Sequence, residues 1–350
     1  MAAYTSIDDP GLYFKTVLFT GDGTDDRAIT VGFQPDLSFV HQRTDDSGGY
    51  ITDSVRGNNA ALQTSNSNAE GTFADMTFTS TGITVSSNEN LNNEDAHNYV
   101  SWHWKAGTTG SGTTTGSGTG KAYSYSVNTT AGFSIVTYLG NGTEDHTIPH
   151  HLGVAPKMYI VKQRDDADSW ITYHNGLGGA DKYILLDTTG AAGTSNNPWG
   201  TVVPTSSVNN LGSAGDTNGN GDSFIMYSFA DVQGYSKFGS YTANANADGP
   251  FIYTGFKPAW ILLKASNNGS WHWRLSDSTR TTFNSSTFHN LFPNTTSAEV
   301  TNEKDVDYLS NGFKLRTAGN GVNGSGYEVI YMAFAEQPFV NSNGVPCNAR

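Results

Sequence analysis

The chain has 350 residues, of which 36% are hydrophobic and 15% charged, and its formal net charge is −13. Acid on that scale repels phosphate backbones and anionic bilayers, and no Lys/Arg cluster offsets it, which argues against nucleic acid and membrane insertion. A 12% aromatic content supplies bulk for thin β cores and sets disorder aside, while abundant Gly, Ser, Thr and Asn favour turns and short strands over helices.

The first twenty residues lack the basic-then-apolar layout of a signal peptide. From residue 15 the chain repeats itself. An aromatic strand ends in a turn at Phe19-Thr20-Gly21-Asp22-Gly23, at Tyr138-Leu139-Gly140-Asn141-Gly142 and at Tyr241-Thr242-Ala243-Asn244. An anchor phrase follows each: Gly32-Phe33-Gln34-Pro35 before Leu37-Ser38-Phe39-Val40, Gly153-Val154-Ala155-Pro156 before Met158-Tyr159-Ile160-Val161, and Gly255-Phe256-Lys257-Pro258 before Trp260-Ile261-Leu262-Leu263. Closing strands run over Val100–Ala106, Ile225–Asp231 and Ile330–Glu336. Pro35 to Trp104, Pro156 to Phe229 and Pro258 to Phe334 are spacings of 69, 73 and 76 residues, too regular for chance. The Gly/Thr/Ser insert Gly107–Gly120 reads as flexible linker.

These signals predict an all-β fold of three tandem antiparallel β-sandwich modules, jelly-roll or lectin-like, related by internal repeat. The modules span 15–106, 132–234 and 235–340, with a linker at 107–131 and a C-terminal tail at 341–350. The single cysteine, Cys347, allows no disulfide framework within the chain, which suits a reducing cytoplasm.

Motifs for catalysis are sparse. Gly120-Lys121 lacks the glycine and the Ser/Thr of a P-loop, having Thr115 and Ala122 there, and no G-x-S-x-G elbow occurs. His146, His150 and His151 surround Pro149, which forbids the helix that would align ligands. Asp25-Asp26, Asp45-Asp46 and Asp165-Asp166, with Asp168 nearby, fall in predicted turns. Asp216, Asn218, Asn220 and Asp222 alternate oxygens with Gly221 at the sixth place, like the first half of a calcium loop, although Tyr227 stands at the twelfth instead of Glu. A plain hairpin turn is the competing reading, and no other cofactor is implied. Trp102/Trp104 and Trp271/Trp273 place two rings on one strand face. Trp104 aligns with Phe229 and Phe334 and is expected in the core, which leaves Trp271 and Trp273 as candidates for glycan stacking. Asp53-Ser54-Val55-Arg56 matches Asp277-Ser278-Thr279-Arg280, a local ion pair or turn cap that the second copy replaces with Tyr173-His174-Asn175.

At Ile7-Asp8-Asp9-Pro10-Gly11-Leu12-Tyr13-Phe14, at the anchors, at Gly234-Tyr235-Ser236-Lys237-Phe238-Gly239-Ser240-Tyr241, at Ala247-Asp248-Gly249-Pro250-Phe251 and at Leu309-Ser310-Asn311-Gly312-Phe313-Lys314, the sequence resembles a family of bacteriophage virion structural proteins, fibre or tail-fibre-like, of marine phages. The likeness runs over residues 4–340. It implies a virion component assembled in the host cytoplasm, with other virion proteins as partners and no catalytic residues. On that footing the expected role is a tail-fibre or surface-fibre protein, homotrimeric, whose outer modules bind host-surface glycans and whose residues 1–14 are the N-terminal segment that attaches it to the particle. A capsid decoration or head-fibre protein without a host ligand is the alternative. A glycan depolymerase using Asp165, Asp166 or Asp168 is the remaining one.

Overall fold

Leu37-Ser38-Phe39-Val40-His41-Gln42 has no wet face to offer. In the computed structural model, which describes residues 4–72, 75–87, 92–282, 284, 288–319 and 321–348, it is a strand buried on both sides. Its odd residues face a central core and its even residues an outer one, as a period of two requires. The same alternation holds for Met158–Gln163 and for Trp260–Leu263, where the even residues face the central core.

Strands β1 (Phe14–Thr20), β2 (Arg27–Thr30), β3 (Leu37–Gln42), β4 (Gly49–Asp53), β5 (Leu62–Gln63), β6 (Met76–Thr79), β7 (Gly82–Val85) and β8 (Asn98–Trp104) form the first sheet pair. Their order is β1-β8-β3-β4-β5 in the large sheet and β2-β7-β6 in the small one. The second pair comprises β9 (Thr108–Thr113), β10 (Thr115–Gly116), β11 (Ala122–Asn128), β12 (Phe133–Leu139), β13 (His146–Pro149), β14 (Met158–Gln163), β15 (Ile171–His174), β16 (Lys182–Leu185), β17 (Gly193–Thr194), β18 (Val208–Leu211) and β19 (Ser223–Phe229). It is ordered β17-β16-β15-β14-β19-β12-β11-β9 and β10-β13-β18. The third has β20 (Ser236–Thr242), β21 (Phe251–Tyr253), β22 (Phe256–Ala265), β23 (Arg274–Asp277), β24 (Val306–Leu309), β25 (Gly312–Leu315) and β26 (Glu328–Pro338). Its orders are β20-β26-β22-β23 and β21-β25-β24. In each large sheet the closing strand lies antiparallel between the entry strand and the anchor strand. Pro258 falls inside β22, where a bulge accommodates its missing N–H.

The sheet pairs are not beads on a string. The inner faces of all three large sheets share one core, in which Trp104 packs edge-on to Trp260 (5.8 Å) and Phe334 meets Phe14 (5.1 Å) and Phe229 (6.1 Å). Each outer face makes a smaller core with its own three-stranded sheet. An apolar void of about 50 Å³ lies at the centre, lined by side chains such as Phe39, Ile160, Leu262 and Trp104 from all three pairs. One buried base ends each anchor strand. His41 Nδ1 lies 2.6 Å from Gln42 O, Lys162 Nζ donates to Gln163 O, and Lys264 Nζ donates to Ala265 O (2.8 Å). Burial holds both lysines down to about 8.

The joints between large sheets use five corresponding positions, set by the pairs Leu37↔Asp53, Met158↔His174 and Trp260↔Asp277. Between the first and second pairs, Tyr227 Oη donates to Asp53 Oδ2 (2.7 Å), Arg56 grips the same carboxylate, and Glu70 joins Arg56 (2.8 Å) to Arg164 (2.7 Å). Between the third and first, Trp102 Nε1 donates to Asp277 Oδ2 (3.1 Å), Arg280 grips it, and Glu299 joins Arg280 (2.9 Å) to Arg43 (2.8 Å). Between the second and third, the five positions hold Met332, His174, Leu177, Ala192 and Ser266. There Ala192 N–H still donates to Ser266 O (2.7 Å), as Glu70 does to Arg164 O and Glu299 to Arg43 O, and His174 Nε2 lies 3.1 Å from Tyr331 O.

One expectation is corrected. The linker 107–131 is not flexible. Its β9 and β11 extend the second large sheet, and Gly110 and Gly112 are glycines because the Tyr125 and Tyr123 rings lie where a Cβ would be. The opening segment, from residue 4 on, packs into the body. Ile7 is buried in the central core, Thr5 Oγ1 donates to Gln233 O (3.1 Å), and Ser342 N–H donates to Asp8 (2.7 Å). Residues 1–3 of that segment, 349–350 of the tail and Asn320 of the third Asn/Gly turn lie outside the described residues.

Candidate ligand-binding surface

The turn holding Asp216, Asn218, Asn220 and Asp222 does not gather its oxygens around a cation. Gly215–Asn218 forms a single helical turn, α1. The buried Asn218 amide is fully used: Nδ2 donates to Gly212 O (2.7 Å) and Thr143 O (2.9 Å), and Oδ1 accepts from Asn141 N–H (3.0 Å). Asp222 accepts from Gln163 Nε2 (3.1 Å), Asn220 is exposed, and Asp216 points into a separate cleft. Asn93 and Asn323 do the same work as Asn218 at the corresponding turns, accepting from Asp22 N–H (3.2 Å) and Asn244 N–H (2.9 Å). The Asn/Gly string is therefore a hairpin clamp. Among the described residues, no group of three or more His, Cys, Asp or Glu side chains comes together as metal ligands.

The tryptophan platform is corrected too. β23 begins at Arg274, so Trp271 and Trp273 share no strand face. Trp273 is buried in the central core with Nε1 donating to Leu185 O (2.9 Å). Trp271 is half-buried, its indole N–H donating to Tyr327 Oη (3.0 Å) and its ring packed on Gly321.

Exposed aromatic rings lie elsewhere. On β21, Ile252 turns into the outer core, so period-two alternation turns Phe251 and Tyr253 outward, 46% and 59% exposed. Two residues along a strand, their Cα atoms stand about 7 Å apart. Across this outer face Phe251 pairs with Lys314 and Lys314 with Asp307, while Tyr253 pairs with Gly312 and Gly312 with Leu309. A Cβ on Gly312 would strike the Ile252 carbonyl, so a gap beside Tyr253 is built in. Lys314 reaches Asp248 (2.9 Å) and Gly249 O (2.8 Å), and Arg316 reaches Asp307 (2.9 Å), giving the rings a hydrogen-bonding rim. Flat ring faces beside such groups match a pyranose, whose C–H face is apolar and whose hydroxyls point outward. The corresponding outward positions are Ala28 and Thr30 on β2, and Thr147 and Pro149 on β13. The signal that finds this face is Phe251-Ile252-Tyr253 after Gly249-Pro250, a short strand with aromatics on its wrong side.

A family model described as "Domain of unknown function (DUF7483)" matches residues 9–338. The chain belongs to that family. No curated protein and no solved structure matches it. The family match takes in all three sheet pairs together with the segment 107–131.

In this DUF7483 chain the acids expected in turns separate. Asp165 accepts from Ser223 N–H (2.5 Å), whereas Asp168 meets Asp216 in a cleft of about 320 Å³ shared with Tyr183, Ser195 and Asn197. Burial raises the Asp216 pKa, and the neighbouring Asp168 charge adds to it. His146, buried, is taken up by Asn218 (2.8 Å) and Thr114 (2.6 Å). His150 faces Thr205 O (3.1 Å), and His151 stacks on Tyr125 (3.8 Å). Among the described residues, no helix is long and apolar enough to cross a membrane.

Proposed function

We propose that this chain is a non-enzymatic virion component, a tail-fibre or surface-fibre building block assembled with other virion proteins in the host cytoplasm, that meets host-surface glycans through the Phe251/Tyr253 face. In this reading the sheet pairs are three diverged copies of one sandwich module that have given up separate cores for a common one. The shared strand order, the five-position joints and the recurring Asn clamp support that descent. Three modules closed around one centre also supply, within one chain, the stiffness a homotrimer was expected to provide. The virion setting rests on the sequence resemblance.

One observation carries the glycan part. Phe251 and Tyr253 are held in water where the other sheet pairs manage with Ala28, Thr30, Thr147 and Pro149, so the fold does not require rings there. Binding of the purified chain to immobilised host polysaccharide tests it. Phe251→Ala with Tyr253→Ala is expected to weaken binding about tenfold or more, the scale of two stacked rings. Undiminished binding removes this face from the reading, and no binding by the unaltered chain favours the decoration role. A second reading, glycan hydrolysis, has the Asp168/Asp216 cleft in its favour, because two carboxyl groups sharing a cleft, one of them with its pKa raised by burial, are the parts that general-acid work needs. Release of reducing sugar that Asp216→Asn abolishes is its signature.

A further inference from the structure

β9 ends the second large sheet, and among the described residues its only strand partner is β11. Thr114 N–H donates to Lys121 O (2.7 Å). In an antiparallel ladder donors alternate sides, so Gly110 and Gly112 also turn to β11, and Thr109, Ser111 and Thr113 point their N–H and C=O groups outward. This edge is six residues long, exposed, and free of the devices that keep edges single. It has no proline, no bulge and no charge, and no ionisable side chain occurs between Gly107 and Gly120.

The edge is also self-complementary. Thr109-Gly110-Ser111-Gly112-Thr113 reads the same in both directions. We infer that β9 is an interaction surface whose partner is β9 of a second copy of this chain, paired antiparallel about a two-fold axis at Ser111. Centred there, the two Ser111 residues exchange both backbone bonds, each Thr109 faces the partner's Thr113, and each Gly110 faces the partner's Gly112. Thr–Thr pairs favour such a ladder. Opposed glycines, their other face covered by Tyr125 and Tyr123, keep the two strands flat and close. Charge favours the same place, because a copy with a net charge of −13 repels its twin and this strand is uncharged. The contact is isologous, so it closes at two chains and joins two eight-stranded sheets into one.

Sedimentation of the full chain over a concentration series is the test. A monomer–dimer equilibrium is expected, and Ser111→Pro should raise its dissociation constant about tenfold or more, since it removes an outward donor without touching the β11 ladder. Unchanged thermal unfolding of Ser111→Pro separates lost pairing from lost folding. Register is read independently. In a Cys347→Ser background, Ser111→Cys should oxidise to a linked dimer, because hydrogen-bonded partners stand about 5.5 Å apart, within disulfide reach. Thr109→Cys should not, because its own twin is about 13 Å along the ladder. A monomer at every concentration, a dimer indifferent to Ser111→Pro, or equal cross-linking at both positions overturns the inference.

Discussion

Two of the three joints are ionic and the third is not, yet all three use the same five positions and keep the same backbone link. Asp53, Arg56, Glu70, Arg164 and Tyr227 at one, and Asp277, Arg280, Glu299, Arg43 and Trp102 at another, are replaced at the third by His174, Leu177, Ala192, Ser266 and Met332. The acid, both arginines, the bridging glutamate and the aromatic donor are all gone together. That is what electrostatics demands of a buried network: a lone Arg or Asp left behind is far costlier than having neither. Polar groups therefore choose which surfaces meet, while apolar burial and the backbone bond hold them together.

Removing one carboxylate from an ionic joint should have the largest effect. Asp277→Ala takes from the buried Arg280 one of its two carboxylate partners and leaves the Trp102 N–H buried without its acceptor, and should cost about 3–5 kcal/mol in urea unfolding. Asp53→Ala should behave alike, through Arg56 and Tyr227. Installing the whole third-joint set at the first joint, Asp53→His, Arg56→Leu, Glu70→Ala, Arg164→Ser and Tyr227→Met, should cost less than Asp53→Ala alone, about 2 kcal/mol or under. A five-fold variant less stable than the single one would show that the ionic joints are stabilising in their own right.

The sequence made parts of this visible. Anchor and closing strands were legible because strands buried on both faces are mostly apolar along their length, as Met158–Val161 and, apart from Ser228, Ile225–Phe229 are. The Asp53/Arg56 and Asp277/Arg280 pairs were visible as local motifs, and so was their absence beside His174. Their use as joints was hidden, because Glu70 meets Arg164, and Glu299 meets Arg43, only in three dimensions. Gly110 and Gly112 looked flexible, since nothing local says that Tyr125 and Tyr123 will cover them. Trp273 misled for the reverse reason: spacing alone put it on a strand face, and the strand starts one residue later.

Acid should separate the joints by pH window. Burial pushes the Glu299 carboxyl up, but the Arg43 hydrogen bond and the Arg280 and Arg43 charges outweigh it and hold the pKa at about 2. A depressed folded value means that its contribution is present above about 4.5 and lost as pH falls toward 2. At the third joint, burial pushes His174 down to about 4 against the pull of Tyr331 O, so its contribution is lost earlier, between 6.5 and 4. His174→Asn should therefore flatten the stability profile in the upper window, and Glu299→Gln in the lower one, as followed by urea midpoints across pH. Exchange of the two windows would mean that the ions have been assigned to the wrong joints.

The smallest expected effect bears on what the comparison leaves out. Phe251 and Tyr253 stand outside every joint and both cores, so Phe251→Ala with Tyr253→Ala should shift unfolding by only about 0.5 kcal/mol. A loss of several kcal/mol would make the rings a structural need of the third sheet pair, and their exposure would stop being an argument for a ligand. Near-neutral stability, with a binding defect beside it, leaves recognition as the reason rings stand where Ala28 and Thr147 suffice elsewhere. The same double variant thus divides the molecule into surfaces that hold it together and a surface free to face outward.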